Sequence, residues 1–174
     1  MTVIGRDRTG LVESLASLVA AHGGNWLESR MCRLGGEFAG ILRIHVPSEK
    51  KAALLQALNG LASQGLRVVA TADDSAPDAG SGPLTTLEIV GHDRPGIVRE
   101  ITRALAGQGV NLEEFSSECL SAPMSGEPLF KARARLQLPA NCDTAALRRL
   151  LEKIASDLMV DVSLAASGKE PADG

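Results

Sequence analysis

Two short runs of the sequence each combine an acid, a basic residue and two glycines, a set of residue types that could do chemistry. The first run is GRDRTGLV at residues 5–12, and the second is GHDRPGIV at residues 91–98. Each could be a catalytic loop, a phosphate-binding loop or the start of a helix. Catalysis is the weakest of these hypotheses, because adjacent side chains in a turn diverge instead of converging on one substrate atom. The histidine is also not repeated, since Arg6 stands in the first run where His92 stands in the second.

Known catalytic and metal-binding patterns are missing from the chain. It has no G-x-S-x-G and no H-E-x-x-H, and its three histidines, at 22, 45 and 92, lack the spacing of metal ligands. The two runs also lack the G-x-x-x-x-G-K-[ST] pattern of a phosphate loop, and they place a carboxylate where a phosphate would lie. We therefore expect no catalytic residue, no metal and no cofactor.

A helix start explains the same residues without any ligand. Asp7 and Asp93 suit the N-cap position, where a carboxylate accepts hydrogen bonds from the first turn. Pro95 suits the first helical turn, because a missing N–H costs nothing there. Gly10 and Gly96 would let the helix start lie close to a neighbouring backbone. On this interpretation the repeated run is only scaffolding.

A ligand-binding interpretation adds one asparagine to each run. Asn25 and Asn111 each lie eighteen residues after the aspartate of their run and are expected to open the next strand. The amide of asparagine offers both a donor and an acceptor, and a helix N-terminus attracts a carboxylate. Aspartate, glycine turn and asparagine together could hold a zwitterionic amino acid. Because the set occurs twice, a site shared by a pair of domains is possible.

The duplication extends over nearly the whole chain. Residues 5–25, aligned with an offset of 86, share eight identities with their counterparts. Further on, AALLQALNGLAS at 52–63 matches AALRRLLEKIAS at 145–156 with an offset of 93. Seven additional residues therefore lie in the second copy, and most of them are expected in the loop SAPMSGEP at 121–128. We predict two copies of one domain.

Composition predicts the domain boundaries. The first domain is expected at 1–72, with a first strand that looks truncated beside that of the second copy, and the second domain at 85–165. The acidic stretch between them, 73–84, is rich in Pro, Gly and Ser and predicts a flexible linker. The last residues, 166–174, predict a disordered tail.

Strand and helix periodicities alternate in the same order in both copies. In the second copy TTLEIV at 85–90 predicts a strand that ends at the repeated run, and apolar residues then recur at helical spacing from Ile97 to Leu105. The two first helices are predicted to end at Gly23 and Gly109. Two strands, a helix and a last strand follow in each copy. The order β-α-β-β-α-β predicts an α+β fold of two ferredoxin-like units.

A unit of this size cannot cover both faces of its own sheet. The third strand of the second copy alternates between an apolar face and a face carrying Lys131, Arg133 and Arg135. Such a basic stripe is usually a solvated face, but it is the best candidate in the chain for a partner surface. Ile41 lies on an outer face in the first copy and would prefer cover. We therefore expect the domains to pair, the chain to form a homodimer, or both.

Composition also restricts the partners. The net charge is only −3 and aromatic residues make up 2% of the chain, so direct nucleic-acid binding and a membrane partner are not expected. No signal peptide is recognisable, and the cytoplasm is the expected compartment. The three cysteines, at 32, 119 and 142, have no metal-site spacing. Cys32 and Cys119 are expected to be small apolar fillers, and Trp26 to pack in a core or a domain interface.

The motif D-R-x-G-[LI]-V at a helix start, followed by G-x-N at the next strand, resembles the ACT domain in both copies. That resemblance implies a regulatory module that binds small molecules, usually amino acids, at interfaces between paired domains. Carried over by position, the ligand-binding residues are Asp7, Gly10 and Asn25 in the first copy. In the second copy they are Asp93, Gly96 and Asn111.

Two ACT domains in tandem, with VGHDRPGIV and a short linker, resemble the glycine cleavage system transcriptional repressor family. This resemblance implies a non-enzymatic cytoplasmic regulator that senses a small amino acid, with glycine or serine favoured, and contacts a DNA-binding activator. Two alternatives stay open, namely an allosteric regulatory subunit of an amino-acid metabolic enzyme and a domain pair that only mediates association. Arg6 and Thr9 replace His92 and Pro95, so the two sites need not be equivalent.

Overall fold

The computed structural model describes residues 1–71, 82–122 and 126–166, which form two compact units, residues 1–76 and residues 77–174. Most of the predicted linker and of the predicted tail lies outside these described residues. Leu84, placed in the linker, begins a strand, and Ala166, placed in the tail, ends one. Among the described helices, none is long and apolar enough to cross a membrane.

The first domain is a four-stranded antiparallel sheet with two helices. Its strands lie in the order β2-β3-β1-β4. Short 3-10 helices at Ser48–Lys50 and Leu61–Gln64 flank the second helix. The elements in chain order are β1 (Thr2–Arg6), α1 (Leu11–Ala21), β2 (Asn25–Leu34), β3 (Glu37–His45), α2 (Lys51–Gly60) and β4 (Leu66–Val69).

The second domain repeats this arrangement with the strand order β6-β7-β5-β8. Both domains therefore confirm the predicted α+β, ferredoxin-like fold. The six elements of this domain are β5 (Leu84–His92), α3 (Ile97–Gly107), β6 (Asn111–Ser121), β7 (Pro128–Gln137), α4 (Thr144–Leu158) and β8 (Val160–Ala166).

The helices of each domain cover one face of its sheet. Helix α3 buries Ile97, Ile101 and Leu105, which recur every four residues on one side of the helix. In α1 the buried residues Leu11, Leu15 and Val19 show the same spacing. The predicted alternation along β7 is confirmed, because its apolar-face residues Phe130, Ala132, Ala134 and Leu136 are buried, as is Leu138 just after the strand. Trp26 packs against the core of the first domain.

Both first helices end at the predicted glycines. Gly23 has a φ of 68° and Gly109 a φ of 67°, the left-handed conformation that favours glycine after a helix. The N–H of Gly24 donates to the carbonyl of Val19, and the N–H of Val110 donates to that of Leu105. These hydrogen bonds close the C-terminal turn of each helix and position the next strand, which begins at the asparagine in each domain.

The hairpin between the second and third strands differs between the domains. In the first domain it contains only Gly35 and Gly36, whereas six residues, 122–127, separate β6 from β7. This longer connection confirms where most of the additional residues of the second copy lie. Residues 123–125 are outside the described part of the chain.

The face of each sheet that the helices do not cover, here called the open face, differs in chemistry between the domains. In the first domain Ile4, Ile41 and Val69 lie on it, and they are 41%, 62% and 67% exposed. In the first domain Ile41 and Val69 both pair with Thr2. In the second domain Arg133 and Ser163 both pair with Glu88, so they occupy the positions equivalent to Ile41 and Val69. The fold therefore does not require apolar residues at these positions.

Acids accompany the basic stripe on the open face of the second domain. Arg133 lies 3.8 Å from Glu88, and Arg135 lies 3.6 Å from Glu114. Glu118 pairs by register with Lys131 on the same face. Because each cation has an acid on a neighbouring strand, the face carries little net positive charge.

Candidate functional site

The turn between β1 and α1 is tied to the β2–β3 hairpin through Asp7. The N–H of Asp7 donates to the carbonyl of Gly36 at 2.9 Å, and a carboxylate oxygen of Asp7 lies 2.6 Å from Nε of Arg33. Helix α1 begins at Leu11, and its N-cap residue is Gly10. The prediction that Asp7 is the N-cap is therefore wrong, because its polar groups bind the hairpin instead of the first helical turn.

The turn between β5 and α3 uses Asp93 in the same way. The N–H of Asp93 donates to the carbonyl of Pro128 at 3.0 Å, and Gly96 is the N-cap residue of α3. Cys119 lies on the neighbouring edge strand beside this turn, where the negative charge of Asp93 acts on its thiol. Asp93 is thus also not the N-cap. Pro95 precedes the N-cap and lies outside the helix, contrary to the prediction that it occupies the first helical turn.

The environment of Cys119 raises the pKa of its thiol. Desolvation by the neighbouring atoms is the larger cause, and the negative charge and hydrogen bond of Asp93 add to it. Cys32 and Cys119 are both exposed on their edge strands. The expectation that they are apolar fillers is therefore wrong, and Cys119 is instead a polar neighbour of the turn.

The glycine at each helix start is required by its backbone conformation. Gly10 has a φ of 88° and Gly96 a φ of 99°, which residues with a Cβ rarely adopt. A Cβ placed on either glycine would meet no atom within 4 Å. The expectation of a close backbone approach at these glycines is therefore wrong, and the left-handed turn is the reason for glycine.

The N-terminal turns of α1 and α3 receive no hydrogen bond from an N-cap side chain. Helix α4 provides the contrast, since the side chain of Asp143 accepts from the N–H of Ala146 at 2.9 Å. Glycine at the N-cap leaves first-turn N–H groups of α1 and α3 directed outward with partial positive charge. These groups can donate to a carboxylate from outside the helix.

Close packing occurs instead at the first glycine of each run, Gly5 and Gly91. A Cβ on Gly91 would lie 2.6 Å from Cγ1 and 2.7 Å from Cα of Val160 on β8. A Cβ on Gly5 would collide with the carbonyl oxygen of Gly65. No role was predicted for these two glycines, although their repetition at the same position of both runs was a signal for one.

The predicted asparagines lie at the far end of each sheet from the turn. Strand β3 pairs with both β1 and β2. Its residue Glu37 pairs with Arg6 next to the turn, and His45, eight positions further along β3, pairs with Asn25. At a rise of about 3.3 Å per residue the two levels are about 26 Å apart. Asn111 lies equally far from the end of β5, because it pairs with Gln137 while His92 pairs with Leu129. Neither domain brings its own aspartate, glycine and asparagine together.

A bulge follows the asparagine in both domains. The register of β2 shifts at Leu27, and that of β6 shifts at Glu113. In the second domain the amide nitrogen of Asn111 donates to the carboxylate of Glu113 at 2.7 Å. The strand start therefore presents an amide beside a carboxylate in one domain and an amide beside a leucine in the other.

No group of three or more side chains able to hold a metal ion occurs among the described residues. A cavity of about 440 Å³ lies between α3 and α4 and is lined by residues that include Glu100, Arg103 and Asp157. None of the six predicted site residues lines it. The two turns and the two strand starts therefore stay the candidate site.

The ion pair between Asp7 and Arg33 is expected to contribute little to stability. The Arg33 side chain is 71% exposed, and exposed ion pairs contribute about 0–1 kcal/mol. Arg33→Ala should therefore lower the free energy of unfolding by less than about 1 kcal/mol in urea denaturation. Arg103→Ala, which removes an exposed ion pair with Glu100 on α3, is the control. A loss above about 2 kcal/mol for Arg33→Ala alone would contradict this prediction.

Comparison with known proteins identifies the class of the chain. Residues 1–70 match one ACT domain model and residues 85–121 match another. The chain therefore belongs to the ACT domain family and carries two ACT domains in tandem. ACT domains generally bind amino acids and often dimerise, and they mark this chain as a regulatory protein.

Two solved structures match over almost the full length. An unknown protein from Galdieria sulphuraria is 28% identical, with 96% of each chain covered and a TM-score of 0.79. A protein provisionally assigned as a glycine cleavage system transcriptional repressor is 20% identical, with 97% of this chain and 95% of that chain covered and a TM-score of 0.66. At that identity the second likeness concerns the fold. No curated protein sequence matches the chain.

Proposed function

We propose that this chain is a non-enzymatic regulator that binds a small amino acid at its β–α turns and acts on a partner protein. One observation carries the proposal. In both domains a helix N-terminus without a side-chain cap lies next to an aspartate three residues before its N-cap glycine. Such a turn offers donors for the carboxylate of an amino acid and an acceptor for its ammonium group.

The strand-start asparagines would complete the site only when two domains meet. Since Asn25 and Asn111 lie about 26 Å from the turn of their own domain, one domain alone cannot bring both parts to a small ligand. We therefore propose that the turn of one ACT domain and the strand start of another bind the same amino acid. The second domain can come from the same chain or from another copy.

Glycine is the amino acid that we favour, followed by serine, and a DNA-binding activator is the partner that we favour. The motif in both copies and the name of the second full-length structural relative support this choice. The small net charge of −3 favours contact with a regulator protein over direct contact with DNA. We place this activity in the cytoplasm.

Thermal denaturation with each of the twenty amino acids tests the proposal. A ligand at 100 times its Kd stabilises the folded chain by about 2.7 kcal/mol. For a chain of this size that corresponds to a rise in Tm of roughly 5–10 °C. We expect glycine to give the largest rise. A chain that none of the twenty amino acids stabilises would overturn the sensor proposal.

Co-purification tests the partner. Tagged chain isolated with glycine present and absent should retain a DNA-binding activator in one of the two conditions. Recovery of an amino-acid metabolic enzyme in its place would contradict the transcriptional proposal and favour an allosteric subunit.

We propose a homodimer as the working assembly, with the open face of the first domain covered by a second copy. Burying Ile4, Ile41 and Val69 removes apolar surface from water, which stabilises a dimer. Ile41→Arg should therefore shift the chain from dimer to monomer in sedimentation velocity. Its fold should persist, because the second domain has Arg133 at the equivalent position.

Arg133→Ser is the matched control for the dimer prediction and should leave sedimentation unchanged. A wild-type chain that is monomeric at every concentration would overturn the homodimer. A dimer that survives Ile41→Arg would show that the copies associate through another surface.

A further inference from the structure

Arg33 and Cys119 occupy the same place in the two domains. Arg33 pairs by register with Phe38, which pairs with Gly5, and Cys119 pairs with Phe130, which pairs with Gly91. Both side chains lie on the helix-covered side of an edge strand, beside the aspartate of the turn. The turns of the two domains thus differ at one neighbour, a guanidinium in one and a thiol in the other.

The carboxylate of Asp7 is neutralised within its own domain. Nε of Arg33 lies 2.6 Å from Oδ2 of Asp7, and only 31% of the aspartate side chain is exposed. An arriving ammonium group would compete with a cation that is already in contact with this carboxylate. The turn of the first domain is therefore a poor acceptor for an ammonium group.

The carboxylate of Asp93 keeps its negative charge available. No ion pair to Asp93 occurs among the described residues, and the side chain at the place of Arg33 is the thiol of Cys119. The two residues that flank Asp93 in the turn contact other groups. Nδ1 of His92 lies 3.4 Å from Glu127, and Arg94 donates to the sulfur of Met159 at 3.7 Å.

We propose that Arg33 and Cys119 determine which turn accepts the ammonium group of an amino acid, so that the Asp93 turn binds the ligand and the Asp7 turn does not. This inference rests on the proposed function, because it distinguishes between the two turns of the proposed site. It predicts one amino acid bound per chain. The turn of the first domain then has only a structural role, because Arg33 occupies the carboxylate that would otherwise accept the ammonium group of an amino acid.

Exchange of the two residues tests the inference, with glycine as the first probe in isothermal titration calorimetry. Cys119→Arg should weaken glycine binding up to about fivefold, because the ammonium group would have to displace the new guanidinium from Asp93. Arg33→Cys should raise the stoichiometry from one to two glycines per chain. Cys119→Arg is expected to fold, since the first domain accommodates an arginine at this place.

Two controls separate this effect from changes in charge or packing. Glu118→Gln changes the net charge by the same amount one residue away, but Glu118 pairs with Lys131 and lies on the open face. Cys119→Ser keeps the size and neutrality of the side chain. Both variants should bind glycine within about twofold of the wild-type chain.

A pair of aspartate variants gives an independent readout. Asp93→Asn should weaken binding about tenfold or more, because the carboxylate of Asp93 would contact the ammonium group. Asp7→Asn should leave binding within about twofold of the wild-type chain, because Asp7 would not contact the ligand. If titrations of the wild type with glycine and then with the other nineteen amino acids give no heat or stabilisation, both the proposed function and this inference are overturned.

Other results would overturn only the assignment of the ligand to the Asp93 turn. Wild-type chain with two equivalent sites, or Cys119→Arg that binds like the wild type, would overturn the assignment while leaving amino-acid sensing intact.

Discussion

Gly91→Ala is expected to lower the free energy of unfolding by about 3 kcal/mol, at the upper end of the range for overpacked cores. The new Cβ would lie 2.6 Å from Cγ1 of Val160 and 2.7 Å from its Cα. A rotamer change can move the first atom but not the second, so β8 would have to shift away from β5, with which it pairs along its length. Urea denaturation followed by circular dichroism measures the loss.

Gly107→Ala is the matched control for this prediction. Gly107 is the last residue of α3, and a Cβ there would meet no atom within 4 Å. Alanine in a compatible helical position stabilises a protein by about 0.4–1 kcal/mol. A Gly91→Ala chain that is as stable as wild type would contradict the close packing of β5 against β8.

Asn111→Ala is expected to weaken amino-acid binding about tenfold or more while leaving the fold intact. A hydrogen bond to a charged group contributes about 1.5–3 kcal/mol, and the amide of Asn111 would make such a bond to the ligand. Asn111 is exposed at the first position of β6, so its loss should change the free energy of unfolding by less than about 1 kcal/mol. Calorimetric titration with glycine and urea denaturation measure the two quantities.

Asn25→Ala is needed beside Asn111→Ala, because either strand start could complete the binding turn. Asn141→Ala, an exposed asparagine before α4, is the control and should have no effect on binding. Unchanged affinity in both Asn25→Ala and Asn111→Ala would contradict the placement of the strand starts in the site.

The fold was predictable from sequence because it is repeated and its periodicities are strong. A strand that alternates as cleanly as β7 has only one way to bury its apolar face, and the glycines at 23 and 109 end their helices where local backbone energetics predict. These features depend on neighbours within a few residues. The strand order follows from the same element order in both copies.

The chemistry of the turns was less predictable, because it depends on contacts between distant residues. An aspartate three residues before a helix-start glycine resembles an N-cap, yet the N–H of Asp7 and its carboxylate bind Gly36 and Arg33, which come from the next hairpin. Only the sheet register places Arg33 or Cys119 beside the turn. Aligning the two copies does show arginine against cysteine at this place, and that difference was the available signal.

The separation of turn and strand start within each sheet has a consequence in mass action. A ligand that contacts both parts binds two domains at once, so its apparent affinity depends on how often the second domain is present. If that domain belongs to the same chain, a short tether holds it at millimolar effective concentration and the apparent Kd is independent of dilution. If it belongs to another copy, the apparent Kd rises as the protein is diluted, and the ligand in turn promotes association by the same factor. Titration at two protein concentrations tenfold apart therefore reveals which domains share the amino acid.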